Sequence, residues 1–128
     1  MRRSPWIPAF AGMTSKMEAR LKSSIQVTAL IRRCDIQAIG AAVTARGDPD
    51  AGAILVKLCG RDASATVLAQ TRRPDGTLGW LRATGTAPVA ESDADAYIAR
   101  QRQRDPDLWV VEIETIAAET ILDDGIIE

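Results

Sequence analysis

The chain of 128 residues contains no histidine. The commonest general base and metal ligand is therefore missing, which removes the ordinary nucleophile triads and most zinc sites. Only two cysteines occur, Cys34 and Cys59. At that separation they form no zinc pattern, and a reduced pair suits the chain better than a disulfide. Aromatic residues make up 4% of the chain, too few for a base-stacking platform unless one is well exposed. No apolar run approaches the roughly 20 residues needed to span a bilayer. Gly47 and Gly52 lack the glycine–lysine spacing of a phosphate-binding loop. Internal repeats and low-complexity segments are absent.

What is present begins with a change in composition. Met1 to Met13, with Pro5, Pro8 and Gly12, supports neither helix nor strand. Arg2, Arg3 and the apolar run from Trp6 to Met13 mimic a secretory signal, with Ala9-Phe10-Ala11 resembling a cleavage site. The two prolines and the short run argue against export. Pro-Trp-Ile-Pro-Ala-Phe-Ala-Gly-Met-Thr also resembles a dispersed bacterial DNA repeat read through in translation. Residues 1–19 are therefore expected to be a disordered or mis-annotated leader, with Met17 as the native start.

Residues 1–16 hold three of the sixteen basic side chains and none of the seventeen acids. The remainder carries thirteen bases against seventeen acids, a net charge of −4 where the whole chain has −1. From Asp105 to Glu128 there are eight acids and no base. Arginines gather instead at Arg72, Arg73, Arg82, Arg100, Arg102 and Arg104. Such asymmetry orients a partner or keeps the surface solvated. Residues 20–123 are long enough for one compact core, and 124–128 read as an acidic tail.

Periodicity orders the body. Ser23 with Gln26 makes a capping box, and Val27, Leu30, Ile31, Cys34 and Ala38 recur at helical spacing, so a helix is expected to end near Gly40. Ile25, Val27, Ala29 and Ile31 also alternate, which leaves an edge strand as the competing reading. Strands follow at Ala41–Arg46, Ala53–Cys59, Ala65–Gln70 and Leu78–Ala83. They are separated by the turns Gly47-Asp48-Pro49-Asp50, Gly60-Arg61-Asp62 and Pro74-Asp75-Gly76. Lys57, alone in an apolar run, is either a nucleophile with a lowered pKa or a lysine snorkelling near a sheet edge.

The last block is the most informative. Ser92 followed by Asp95 predicts a helix start, with Asp93 and Asp95 in its first turn and Arg100, Arg102 and Arg104 in its last, the order the helix dipole favours. Ala94, Tyr97, Ile98 and Gln101 form a narrow apolar stripe. Pro106 stops the helix. Trp109, Val111 and Ile113 then alternate with Val110, Glu112 and Glu114, a strand with one buried and one wet face. The order α-β-β-β-β-α-β implies an α+β fold: a small, mostly antiparallel twisted sheet of about five strands with two helices on one face.

Three blocks resemble a known family. Leu21-Lys22-Ser23 leading into Ala29-Leu30-Ile31-Arg32-Arg33 is the first. Gly47-Asp48-Pro49-Asp50-Ala51-Gly52 running on to Leu58 is the second. Tyr97-Ile98-Ala99-Arg100-Gln101 through Asp105-Pro106-Asp107-Leu108-Trp109 to Glu114 is the third. Together they look like the small bacterial family called domain of unknown function 1491, over about Arg20 to Asp123. That family carries no assigned activity, cofactor or catalytic residue, so the resemblance implies a stand-alone cytoplasmic domain and imports no chemistry.

For function, the expectation is a non-catalytic module that binds a protein partner or itself, through an exposed strand edge or the arginine end of the second helix. The candidate binding residues are Arg100, Arg104, Asp105, Asp107 and Trp80. Asp105 and Asp107 are expected to lock the helix end by pairing with Arg100 or Arg104. The alternative is nucleic-acid binding through Arg72, Arg73, Arg82, Arg100, Arg102 and Arg104. A third reading is a carboxylate-dependent hydrolase using Asp107, Glu112 and Glu114, although Glu114 stands where a lysine is wanted. Its rival has Glu112 and Glu114 simply facing solvent. No cofactor, metal or membrane contact is expected.

Overall fold

The structure, a computed structural model, describes residues 21–115, 117, 121, 122 and 124–127. The expected leader, 1–19, and the tail residue Glu128 lie outside the described residues. The elements are α1 (Ser23–Ile36), β1 (Ala41–Ala45), β2 (Ile54–Cys59), β3 (Ser64–Arg72), β4 (Leu78–Arg82), β5 (Val89–Ala90), α2 (Glu91–Arg104), β6 (Trp109–Ile113) and β7 (Ile126–Ile127).

The α+β class holds, but the sheet has seven strands where about five were expected. Its order is β1-β6-β2-β3-β4-β7, with β5 paired to β3. Most neighbours run antiparallel. The exceptions are β2 with β6 and β4 with β7, both parallel. The first exception follows from connectivity: the chain returns from β5 through α2, and such a crossover sets β6 parallel beside β2. β5 and β7 escape sequence reading because two residues are too few to show alternation. The acidic stretch at the end therefore carries a strand, with Ile126 and Ile127 beside Trp80 and Leu81.

The helices do not share a face, which corrects the expected layering. Ile54, Val56 and Leu58 of β2 join Val27, Leu30 and Cys34 of α1 in the larger core, together with Trp80, Trp109, Val111 and Ile113. Leu55, between them on the same strand, joins Ala94 of α2 with Val67 and Leu108. Because successive strand residues point to opposite faces, α1 covers one side of the sheet and α2 the other. This explains why β2 reads as an almost continuous apolar run: it is buried on both faces. Each buried Leu, Ile or Val there stabilises the fold by roughly 1.5–3 kcal/mol.

α1 is a helix, and the strand alternative for residues 25–31 fails. Its buried residues Ser23, Val27, Leu30 and Cys34 recur at helical spacing. The capping box does not form. Ser23 lies inside the helix, and its hydroxyl donates to the Gly52 carbonyl, while the Gln26 amide donates to Leu21 O at 2.8 Å. The carbonyls of Asp50 and Pro49 accept the first helical N–H groups, those of Ser23 and Ser24, so a distant turn does the capping. The helix ends at Ile36, ahead of Gly40, because Ala38 turns left-handed with φ 58°. Ala38 is thus exposed and off the apolar stripe.

α2 begins at Glu91 with Ala90 as its cap residue, so Ser92 is not the cap. The N–H of Glu91 donates to Ala63 O at 2.9 Å, which fixes the helix start against the β2–β3 turn. The helix stops at Arg104, before Pro106, as expected. Trp109, Val111 and Ile113 are buried, but so is Val110, paired with Leu55. β6 lies inside the sheet between β1 and β2, so its second face is only partly wet.

Candidate functional site

The two proline turns that carry the family resemblance meet in space. Asp48 N–H donates to Asp107 O at 3.0 Å, and the Trp109 indole N–H donates to Asp48 O at 2.7 Å. The Asp48 carboxylate accepts the N–H groups of Asp50 and Ala51 and so shapes its own turn. Gly47 and Gly52 pack so closely on the Asp107 carbonyl that a methyl group at either would overlap it. The guanidinium of Arg46 stacks 5.5 Å from the centre of the Trp109 ring. These blocks hold α1, β2 and β6 together.

The candidate binding residues fall into this frame separately. Arg100, Arg104, Asp105 and Asp107 are all exposed at the end of α2. The expected ion pairs among them do not form. Asp105 accepts the Asp107 N–H at 3.0 Å, and Arg102 reaches the Pro106 carbonyl at 3.2 Å. The turn closes through short-range bonds to backbone, which hold it without charge pairing. Arg72 and Arg73 serve the β3–β4 turn. Arg72 donates to Gly76 O, and Arg73 donates to Leu78 O and Asp124 O. Trp80 is 4% exposed and belongs to the core, so its ring offers no stacking face to a nucleic-acid base.

Lys57 is the site that sequence reasoning misjudged. It sits in β2, between β6 and β3, not near an edge, and is 4% exposed. Its ammonium lies 2.7 Å from Glu91, 2.7 Å from Asp95 and 3.1 Å from Glu112. An ammonium has three donors, and three carboxylates take them. Glu91 and Asp95 stand four residues apart on α2, one helical turn from each other. Glu112 lies directly opposite Lys57 in the β2–β6 register. Burial alone would lower the pKa of Lys57, but the hydrogen bonds its ammonium donates to Asp95, Glu91 and Glu112 outweigh it, so the pKa is raised above its ordinary value. A permanently charged lysine is no nucleophile at neutral pH. Glu112 faces this ammonium and is not simply in solvent.

Cys59 borders the same cluster. Its sulfur and carboxylate oxygens of Glu91 and Glu112 lie within 4.8 Å of one another, the one grouping among the described residues compact enough for a metal ion. Lys57 already bonds both acids and supplies the cation there. Burial, then the nearby Glu112 carboxylate, pushes the Cys59 thiol up, which disfavours the thiolate that a metal would need. Asp107 and Glu114 take no part in this grouping, so the three acids of the hydrolase reading do not converge. The cue in the sequence was a lone lysine in an apolar run, with two acids at helical spacing beside the apolar Ala94.

A cleft of about 400 Å³ opens on the other face, between α1 and the β3–β4 end of the sheet. Trp80 and Leu30 line its apolar part. Gln26, Gln70, Arg33 and Arg72 supply its polar groups. The Gln70 amide donates to Gln26 Oε1 at 2.9 Å. No residue signal short of the full topology brings these groups together.

At its outer end the sheet finishes on β1. Ala42, Val43 and Thr44 are exposed, and among the described residues no strand pairs with the outer side of β1. A bulge between Val43 and Ala45 interrupts its pairing with β6. Among the described residues no helix is long and apolar enough to cross a membrane.

Comparison with known proteins places these features in a family. The family model described as "Protein of unknown function (DUF1491)" matches residues 21–123. A crystal structure of a DUF1491 family protein from Caulobacter crescentus CB15 is similar with a TM-score of 0.74 and 37% identity, over 84% of this chain and 100% of that one. An NMR structure of a DUF1491 family protein from the same organism gives 0.72 and 37%, over 84% and 97%. The solution structure of protein Atu0922 from A. tumefaciens gives 0.67 and 34%, over 80% and 92%. No curated protein matches the chain. With both helices, strands β1 to β6 and the paired proline turns within the matched span, the chain belongs to the DUF1491 family of proteins of unknown function.

Proposed function

We propose that this domain is a non-catalytic interaction module that joins a second copy of itself along the open edge of β1. The observation that carries the reading is the end position of β1 in the sheet with three successive exposed residues. An unpaired strand edge is a template for another strand. Glu114 N–H donates to Gly40 O at 2.8 Å, so by antiparallel alternation Gly40 and Ala42 turn their backbone groups toward β6, while Ala41 and Val43 turn theirs outward. The bulge after Val43 confines regular pairing to this short stretch, which suits a reversible contact more than a permanent one. The acids around Lys57 are engaged by that lysine, which favours binding over catalysis.

The test is mass in solution. Sedimentation of the full chain is expected to show a dimer at high concentration that dissociates on dilution. Val43→Pro removes an outward donor and leaves the β6 ladder intact. It is expected to give a monomer with an unchanged circular dichroism spectrum. A wild-type chain that stays monomeric at millimolar concentration, or a dimer indifferent to Val43→Pro, rules the reading out.

A further inference from the structure

A groove runs between α1 and the open side of β1. Thr28, Ile31, Arg32 and Asp35 line it from the helix and Val43 from the strand. The four helix residues recur at spacings of three and four, so one flank of α1 looks out over the strand edge. At the far end of the groove Arg46 is held over the Trp109 ring. Arg32 and Asp35 are both exposed, and among the described residues neither has an ion-pair partner.

The direction of the two elements fixes how a second copy meets this groove. α1 starts against the carbonyls of Pro49 and Asp50 and ends just before Ala41, so β1 runs antiparallel to it. At about 1.5 Å per helical residue and about 3.3 Å per strand residue, the stretch from Arg32 to Ile36 lies alongside Ala41 to Val43. Outward backbone groups on Ala41 and Val43 pair with one another in a single two-fold register: Ala41 opposite the partner subunit's Val43, with Ala42 on the axis. Ala41 and Val43 lie opposite Ile113 and Val111, on the α1 face of the sheet. The two copies of α1 then flank the axis and run antiparallel to each other. The axis passes level with the middle of the Arg32–Asp35 turn, which sets Arg32 of each copy toward the partner subunit's Asp35.

We infer that the two grooves close on each other in the dimer, and that a symmetric pair of Arg32–Asp35 bridges between the helices selects a second copy of this chain as the partner. The inference rests on the β1 association proposed above and adds the contact that makes it specific. A strand edge offers its backbone groups to any extended chain. A base and an acid one turn apart on antiparallel helices instead complement a surface carrying the same pair.

Charge exchange tests the contact. Arg32→Asp and Asp35→Arg each set like charges opposite one another, and each is expected to weaken the dimer at least about tenfold in sedimentation of the full chain. Circular dichroism is expected to stay unchanged, because both side chains are exposed. Mixed in equal amounts, one variant supplies acids at both positions and the other supplies bases. A heterodimer is therefore expected at concentrations where each variant alone is monomeric. The double exchange in one chain, Arg32→Asp with Asp35→Arg, is expected to dimerise like wild type. A wild-type chain that stays monomeric at millimolar concentration overturns the β1 reading and this inference with it. A dimer that Val43→Pro breaks but the single exchanges leave intact, or single-exchange variants that do not recover on mixing, overturns the helix contact alone.

Discussion

Trp109 donates its indole N–H to the backbone carbonyl of Asp48 at 2.7 Å, joining two turns 61 residues apart. Around that bond the Asp107 carbonyl takes the Asp48 N–H and lies against Gly47 and Gly52. The two most distinctive words of the sequence, Gly-Asp-Pro-Asp-Ala-Gly and Asp-Pro-Asp-Leu-Trp, are therefore one structural joint. Their glycines serve close approach, since both lie at negative φ or extended backbone and only their missing side chains matter.

Breaking the joint is expected to cost stability in graded amounts. Trp109→Phe keeps most of the ring but takes one of two donors from the Asp48 carbonyl, which retains the Gly52 N–H at 3.2 Å, a loss of about 1 kcal/mol. Gly52→Ala forces a methyl group into the Asp107 carbonyl, and about 2–3 kcal/mol is expected from such overpacking. Urea unfolding with an unchanged m value is the measurement. If Trp109→Phe unfolds at the wild-type midpoint, the indole bond is not part of what holds the turns together.

Lys57→Met is expected to destabilise the domain by about 2–4 kcal/mol, because three carboxylates lose their shared ammonium next to an apolar strand. Asp95→Asn is expected to cost less than about 1 kcal/mol, since Asp95 is largely exposed and can rehydrate. The pH dependence has a definite sign. The pKa of Lys57 is raised above its ordinary value of 10.5, so its contribution is complete below that pH and falls as pH climbs through the higher folded-state value. The stability gap between wild type and Lys57→Met should be flat from about pH 7 to 10 and narrow beyond. A gap that narrows near neutrality would mean that the lysine is not held by its three acids.

How far the residues disclosed the fold varies with the range of the interaction. The helices and the longer strands were legible because Val27, Leu30 and Cys34, or Trp109, Val111 and Ile113, repeat a local period that burial enforces. The stop at Pro106 was legible because its cause is covalent. Ser23 and Ser92 misled, since each has the chemistry of a helix cap but one serves a tertiary bond to Gly52 and the other sits a residue inside the helix. The sides taken by the helices were not legible, because the alternation in β2 is hidden by apolar residues on both faces. Lys57 was conspicuous, but its environment depended on the parallel β2–β6 register, which no local pattern encodes. The Trp80 cleft depends on α1, β2, β3 and β4 at once and left no trace in any one of them.

Ala38 and Ala63 hold φ values of 58° and 60°, the left-handed region that disfavours a side chain by roughly 1–2 kcal/mol. Glycine there removes that penalty but brings an added entropy cost on folding of about 0.5–1 kcal/mol. The first effect is the larger, so Ala38→Gly and Ala63→Gly are each expected to raise stability by about 0.5–1 kcal/mol. Both side chains are exposed, and no core contact is lost. Ala42→Gly on β1 serves as the control, since an extended position gains nothing and carries only the entropy cost. Thermal unfolding of the three variants should place Ala38→Gly and Ala63→Gly above wild type and Ala42→Gly below it. If Ala38→Gly melts with Ala42→Gly, the left-handed turn that ends α1 ahead of Gly40 is not the conformation the chain adopts in solution.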